Sequence, residues 1–286
     1  MTVERTDLPR LLTVSVAAII CVVGGMWGSG VFGGPSVPET SNGALRDDST
    51  LLAPGGPAFS IWSVIYLGLL VYAVWQWLPA NRSALRHRLV GWWIAASMVL
   101  NAVWLAVVRL EWIWVSVAVI AALALVLGAA LGALARAAVA DGTRAGGEGP
   151  VGGGGHGVTL ADRVVTDGTV GLYLGWASVA TCANVTAAFV ADGVDPGGRT
   201  AEGLAVAVLL LVLFLAALLA AVSGGNLGVG LAVAWGLLWI GVQRLDGTPQ
   251  STLVGAVALV VAAGVLALTV LVRVRSGSAV PVRQPA

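Results

Sequence analysis

Aromatic and amide side chains recur at helical spacing in three uncharged segments of this chain. Side chains three, four or eight residues apart lie on one face of a helix, so each segment presents a ring and two of them add an amide. Such a set can bind a flat, mostly apolar molecule by stacking and a few hydrogen bonds. The residues are Phe59, Trp62 and Tyr66 in the first segment, Asn101 and Trp104 in the second, and Trp176 and Asn184 in the third.

The two asparagines also have a simpler interpretation. An amide inside a bilayer is costly unless it finds a partner, so Asn101 and Asn184 should point into a helix bundle. A single asparagine most often only joins two helices. Three segments with the same pattern favour a ligand pocket instead.

Residues suited to catalysis or metal binding are scarce. No uncharged run contains a His, and we interpret His87 and His156 as solvated loop residues. The chain has no spaced set of His, Cys and Asp for a metal, no glycine-rich loop ahead of a Lys and no nucleophile beside a base. Cys21 and Cys182 fall in apolar segments, where free Cys behaves as a small hydrophobe. The sequence therefore predicts neither an enzyme nor a metal site, and no required cofactor.

The composition is that of a membrane protein. Of 286 residues, 58% are hydrophobic and 10% are charged, and the mean hydropathy is +0.93. A soluble domain of this size needs far more charge to cover its surface. All fifteen basic residues are Arg and lie outside the apolar runs, which argues against a nucleic-acid-binding surface.

The apolar runs predict an all-α integral membrane protein with eight spans, since a helix needs about 20 apolar residues to cross the hydrocarbon core. Residues 203–243 carry no charge and are too long for one span, so we divide them at "SGGN", residues 223–226. The predicted spans are 11–33, 57–79, 89–108, 112–135, 168–190, 203–222, 226–243 and 251–272.

The distribution of Arg predicts the orientation. Eight spans put both termini on one side of the membrane, together with the even-numbered loops. Eleven of the fifteen Arg lie on that side, and the other four are Arg46, Arg109, Arg199 and Arg244. Positive charge is retained in the cytoplasm, so both termini should be cytoplasmic.

The connections and helix surfaces predict further features. Residues 34–56 form a long first loop, "RLE" at 109–111 a tight hairpin, and "AGGEGPVGGGGHG" at 145–157 a flexible linker. Small-residue ridges predict close helix packing within the chain rather than dimerisation. These ridges are Gly224, Gly228, Ala232 and Gly236, and Gly128 with Gly132. Tryptophans near the membrane boundary predict interfacial anchors, namely Trp75, Trp77, Trp92, Trp93, Trp112 and Trp114.

Three motifs make the chain resemble the tryptophan-rich sensory proteins, also called translocator or peripheral-benzodiazepine-receptor-like proteins (TspO/MBR). That family opens its second helix with a Pro-rich turn, an aromatic residue and W-x-x-x-Y, and here the stretch reads "PGGPAFSIWSVIY". Its third helix carries L-N-x-x-W, here "LNAVW" at 100–104. Its fifth helix carries a Trp followed eight residues later by an Asn, here Trp176 and Asn184.

The resemblance covers roughly residues 8–192 and implies a five-helix bundle. It implies that Phe59, Trp62, Tyr66, Asn101, Trp104, Trp176 and Asn184 line a ligand cavity, with the loop 34–56 as its lid. Family ligands are porphyrins and haem, sterols in some members, and synthetic aromatic drugs. Two departures matter. "GGPA" stands where the family usually has a Trp after the turn, and "AAFVADG" replaces a sterol motif, which argues against sterol binding.

These observations predict two parts, a five-helix domain over 1–192 and a three-helix extension with a short tail over 193–286. The predicted function is a receptor or sensor that binds, and can transport, a tetrapyrrole-like ligand such as porphyrin or haem. The runner-up is a secondary transporter of a small apolar or aromatic solute, which would need an intramembrane charge or a broken helix pair. A third interpretation is a structural subunit without a ligand. The expected setting is a bacterial cell membrane, and a homodimer stays open.

Overall fold

The computed structural model describes residues 7–34, 36–40, 43–146, 158–194 and 196–278, with the side chains of 141–146 and 277–278 excepted. Eight of its helices are long and apolar enough to cross a membrane, and the described ranges contain no strand. The predicted all-α fold with eight spans is therefore confirmed. The helices are α1 Leu8–Gly28, α2 Ile61–Trp75, α3 Leu85–Arg109, α4 Ile113–Gly146, α5 Leu160–Ala191, α6 Gly198–Ser223, α7 Leu227–Asp246 and α8 Thr252–Ser278.

Several helix ends differ from the prediction for local reasons. Helix α2 is shorter than the predicted 57–79, because it follows a 3-10 turn over Gly56–Ser60 and ends ahead of Pro79, which cannot continue a helix. Helix α4 runs past the predicted end at 135, because its Ala-rich continuation favours a helix beyond the apolar stretch. The predicted linker 145–157 begins within α4, and most of it lies outside the described residues.

Two predicted connections are confirmed. Helices α3 and α4 are joined by the tight hairpin at 109–111, in which Glu111 has φ 60°. Helices α6 and α7 are separated at 223–226. Gly224 ends α6 with φ 64°, a conformation that glycine adopts at little cost, and the Asn226 side chain caps α7 by accepting from the Val229 N–H at 3.2 Å.

The first five helices form a closed ring. Helix α3 packs along α1 and α4, α4 packs along α5, and α2 completes the ring through shorter contacts with α5 and α1. Helix α7 then packs along the outside of α5, α8 along α7, and α6 along α8. One hydrophobic core runs from α1 to α8 without a break. The division at residue 192 stays a prediction, and the α5–α7 interface joins the two parts.

Glycines allow α5 and α7 to approach closely. A Cβ built on Gly175 would lie 2.5 Å from the Val229 carbonyl oxygen, and one on Gly236 would lie 2.8 Å from a Val179 methyl group. The predicted ridge thus packs within the chain at Gly228, Ala232 and Gly236. Gly224 does not belong to it, because Gly224 ends α6.

The second predicted ridge behaves differently. A Cβ on Gly128 would have nothing within 4 Å, and one on Gly132 would meet only Arg136 of the same helix. Within the described part of the chain, no other helix covers this face of α4. The expectation of close packing inside the chain is therefore wrong for Gly128 and Gly132, and homodimerisation stays a prediction.

Candidate ligand-binding site

Trp62 lies at the centre of an aromatic cluster built by α2, α3 and α5. Its ring is stacked on Tyr66 (centroids 5.5 Å apart, planes at 23°) and on Trp104 (6.3 Å, 24°). Tyr173 and Trp176 meet the same ring edge-on at 5.9 Å and 6.2 Å. Both arrangements are favourable for aromatic pairs. The predicted rings of three separate segments therefore form one cluster.

A large cavity of about 1000 Å³ opens beside this cluster. One wall is apolar and aromatic, from α1, α2 and α3, and includes Val22, Met26, Phe59, Trp62, Tyr66 and Trp104. The other wall is more polar and comes from the first loop, including Ser36, Glu39, Arg46 and Asp47. The described residues of the loop 34–56 thus line the cavity on the side that the resemblance assigns to a lid.

The loop holds its own charges in local contacts. Glu39 accepts hydrogen bonds from the Ser36 N–H at 2.7 Å and from the Ser36 hydroxyl at 2.9 Å. The Ser36 N–H bond, with the hydroxyl bond second, lowers the pKa of Glu39 from its ordinary value. Arg46 pairs with Asp48 at 3.0 Å on the surface. These charges keep the loop side of the cavity polar.

A second, smaller cavity of about 40 Å³ lies on the α5 side of the rings. A water needs roughly 10–15 Å³ of such volume, so this space admits only a small group. Phe59, Trp62 and Trp104 line both cavities, whereas Trp176 and Asn184 line only the small one. All the predicted site residues except Asn101 therefore line one of the two cavities.

Asn101 stands behind the rings rather than in a cavity wall. It is fully buried, and its Oδ1 accepts from the Tyr66 hydroxyl at 3.0 Å and from the Cys21 thiol at 3.6 Å. It therefore ties α3 to α2 and α1 and orients the Tyr66 ring. Asn184 is also buried, and its Oδ1 accepts from the Ser116 hydroxyl at 3.1 Å, which joins α5 to α4.

Several buried N–H groups near the cavities have no acceptor among the described residues. They include the indole Nε1 of Trp104, the indole Nε1 of Trp176 and the amide Nδ2 of Asn101. A buried donor without a partner costs about 1–3 kcal/mol. Two of these three residues line the small cavity, so an acceptor entering that space would remove a penalty that the protein itself leaves in place.

Tyr173 is a member of the cluster that the sequence analysis missed. Its side chain is fully buried, its ring meets Trp62 edge-on, and its hydroxyl donates to the Ser97 carbonyl at 3.3 Å. Its position three residues before Trp176 puts it on the same helical face, and that spacing was the signal that could have found it.

A buried charged cluster occupies the opposite end of the ring of helices. Arg86 pairs with Asp162 at 2.6 Å and with Asp167 at 2.5 Å, and His87 Nε2 lies 3.3 Å from Asp162. Trp75 donates to the same Asp162 at 3.0 Å. The interpretation of His87 as a solvated loop residue is therefore wrong: it is 1% exposed in the first turn of α3, because the helix begins four residues earlier than predicted. His156 lies outside the described residues.

The predicted anchor tryptophans divide into two groups. Trp77, Trp92, Trp93, Trp112 and Trp114 are exposed on the outer surface of the bundle, as anchors should be. Trp75 is half-buried and bonded to Asp162, so it belongs to the charged cluster. No group of His, Cys, Asp and Glu in the described ranges could hold a metal ion.

Comparison with known proteins gives one match. A family model described as TSPO-like protein matches residues 10–272. This range includes the five-helix ring and nearly all of α6, α7 and α8, so it extends beyond the 8–192 that the motifs covered. No curated protein and no solved structure matches the chain.

Proposed function

Because the chain belongs to the TSPO-like protein family, we propose that it is a membrane receptor for a flat, largely apolar ligand of the tetrapyrrole type, such as porphyrin or haem. The family supports a sensor or transporter role in a membrane, and the ligand class is our inference from the site. In this proposal the tetrapyrrole is a ligand and not a cofactor.

The observation that carries the proposal is the wall of rings along the large cavity. Trp62 is stacked on Tyr66 and on Trp104, and all three rings line a space of about 1000 Å³. Ligand sites measure about 300–1000 Å³ and are mostly apolar with a few polar groups. This cavity lies at the upper end of that range, which favours a large planar ligand over a small solute.

The unpartnered donors support the same class. The buried N–H groups of Trp104 and Trp176 have no acceptor among the described residues, so an acceptor on a ligand would be favourable there. A porphyrin with carboxylate side chains carries oxygen acceptors at its edge and has a face that stacks on aromatic rings. Stacking supplies affinity at the large cavity, and an acceptor that reaches the small cavity supplies orientation.

A porphyrin titration of the purified protein tests the proposal. Bound porphyrin close to Trp62, Trp104 and Trp176 quenches their fluorescence, so the emission should fall to a saturable limit as porphyrin is added. The reference is free tryptophan at the same absorbance, which corrects for light lost to the porphyrin itself. A decrease that matches the reference and does not saturate would contradict a receptor for this ligand.

The charged cluster favours a second candidate, a secondary transporter. That function calls for charges inside spans or an interrupted helix. Both features are found at the start of α5, where Asp162 precedes and Asp167 lies within a π-helical segment over Arg163–Gly168. The two carboxylates face Arg86 and His87. Uptake of an aromatic solute into vesicles that depends on a proton or sodium gradient would establish it. Binding without gradient-dependent uptake would favour the receptor function over the transporter function.

A further inference from the structure

Helix α7 is hydrogen-bonded to the loop ahead of α2, far away in the sequence. Arg244 donates from Nη1 to the Thr50 carbonyl at 2.8 Å and from Nη2 to the Asp47 carbonyl at 2.6 Å. The Trp239 carbonyl accepts from the Gly55 N–H at 3.2 Å. Three consecutive contacts thus hold one stretch of the first loop against α7.

The contact continues to the start of α2. The Trp235 indole N–H donates to the Ala58 carbonyl at 2.9 Å. Trp235 and Trp239 are four residues apart and lie on one face of α7, and Arg244 follows near the C-terminal end of the same helix. Hydrogen bonds with these three residues hold the segment 47–58, which we call the cover segment.

Arg244 is an unusual group to find in this position. It is 0% exposed, and no carboxylate forms an ion pair with it within the parts of the chain that the structure describes. A buried cation is costly unless hydrogen bonds replace its water. The planar guanidinium can reach two carbonyl oxygens at once, so its burial requires that Thr50 and Asp47 stay where they are.

The cover segment is also a wall of the large cavity. Asp47 and Gly56 line the cavity, and Phe59 follows directly. The Asp47 carboxylate accepts from the Gly56 N–H at 3.1 Å, which closes the segment on itself. Arg244, Trp235 and Trp239 do not line the cavity. They hold its wall from behind.

We propose that Arg244 is a positioning residue for the ligand cavity, and that α7 serves to hold the cover segment over it. This inference rests on the proposed function for its effect on ligand exchange. Arg244 itself does not touch the ligand. Its loss frees the cover segment, so that ligand enters and leaves faster while the ring wall is unchanged.

Cysteine labelling tests, without any ligand, whether Arg244 holds the cover segment in place. Thr50 is 6% exposed, so Thr50→Cys should react slowly with a water-soluble maleimide in a background in which Cys21 and Cys182 are replaced by Ala. Adding Arg244→Met, which keeps the length of the side chain and removes its donors, should speed labelling about tenfold. The matched control is Arg275→Met at the exposed end of α8, which should leave the rate unchanged. Equal labelling rates in the Arg244 and Arg275 variants would overturn the proposal that Arg244 holds the cover segment in place.

Porphyrin dissociation tests the consequence. Stopped-flow release from Arg244→Met should be about tenfold faster than from the wild type, with the Arg275→Met control unchanged. Trp235→Phe removes only the bond to Ala58 and should show a smaller increase, so it serves if Arg244→Met does not fold. Faster labelling with unchanged release overturns the role in ligand exchange. A wild type that binds no porphyrin overturns the proposed function. The labelling result then still decides whether Arg244 holds the cover segment in place.

Discussion

Asn101 is a hydrogen-bond acceptor for side chains of two other helices. Replacing it with Leu leaves the Tyr66 hydroxyl and the Cys21 thiol without an acceptor, and should lower the free energy of unfolding by about 1–3 kcal/mol. Tyr66→Phe in the same background removes one of the unpaired groups, so the double variant should lose less than the sum of the two single variants. Thermal unfolding of the four proteins in detergent measures this. Additive losses would mean that Asn101 and Tyr66 are not coupled.

Asp7 is a titrating group outside the spans. Its carboxylate accepts from Arg88 Nε and Nη2, both at 2.8 Å, and the hydrogen bond from Arg88 lowers the pKa of Asp7 despite burial, which raises it. A lowered folded pKa means that the ionised form stabilises the protein above the unfolded pKa of about 4, and that this stability is lost as the pH falls through the folded value.

Asp7→Asn should therefore unfold more easily than the wild type at pH 7. The difference should shrink as the pH falls below about 4, because the wild type then loses the same interaction. Thermal unfolding measured from pH 7 down to pH 3 follows both proteins. A difference that stays constant over this range would show that Arg88 does not stabilise the ionised form.

At the scale of helices, the sequence predicted the middle of every span and erred at the ends. Apolar length fixes where a helix crosses the core. The ends depend on neighbours: Arg86 is buried because it pairs with Asp162 and Asp167 of α5, and His87 is buried beside the same Asp162. From hydropathy alone, the same residues are predicted to lie in a loop. A partner far away in the sequence is not visible in a local pattern.

The candidate site shows the same limit. Helical spacing placed Phe59, Trp62 and Tyr66 on one face of α2, and the resemblance joined them to Trp104 and Trp176. Neither could find the contacts of Arg244, whose partners are backbone carbonyls. From the sequence, an Arg next to a span is used only to predict the orientation of the protein in the membrane. Its position in the sequence does not indicate that its side chain is buried.

The contact between α5 and α7 depends on the absence of side chains. A methyl group at Gly175 would lie 2.5 Å from the Val229 carbonyl oxygen, which is fixed in the backbone. Gly175→Ala should therefore separate the helices and destabilise the protein by about 1–3 kcal/mol, in the range of overpacked cores. Gly128→Ala is the matched control, because its methyl group meets nothing within 4 Å and Ala favours a helix. Thermal unfolding of both variants measures this difference. Equal unfolding temperatures would contradict the close packing of α5 against α7 at Gly175.

At the scale of the whole molecule, orientation is the first question. The Arg distribution predicts cytoplasmic termini, and eight spans require both ends on one side. Reporter fusions at the C-terminus and in the connection between α5 and α6 should therefore report opposite sides of the membrane, with the C-terminal fusion cytoplasmic. Opposite sides with an external C-terminus would invert the orientation. The same side for both fusions would contradict the eight-span arrangement.

The orientation decides which compartment supplies the ligand. The aromatic cluster lies at the end of the bundle where α2 begins, and the charged cluster lies where α2 ends. With cytoplasmic termini, the cavity opens on the external side and the charged cluster faces the cytoplasm. A receptor of this form takes its ligand from outside the cell or from the outer half of the bilayer.

The central claim is that the rings around Trp62 form a ligand wall and do more than hold helices together. The most direct measurement is the porphyrin affinity of Trp62→Ala compared with Trp112→Ala, by fluorescence titration. Trp112 is 58% exposed and lines neither cavity, so it serves as the control.

Trp62→Ala removes the ring that stacks on Tyr66 and Trp104. Aromatic contacts contribute about 0.5–1.5 kcal/mol beyond area burial, and the lost burial of apolar surface adds to this, so porphyrin affinity should fall about tenfold or more. Trp112→Ala should leave it unchanged. Equal losses in the two variants, or no loss in either, would contradict a ligand wall centred on Trp62.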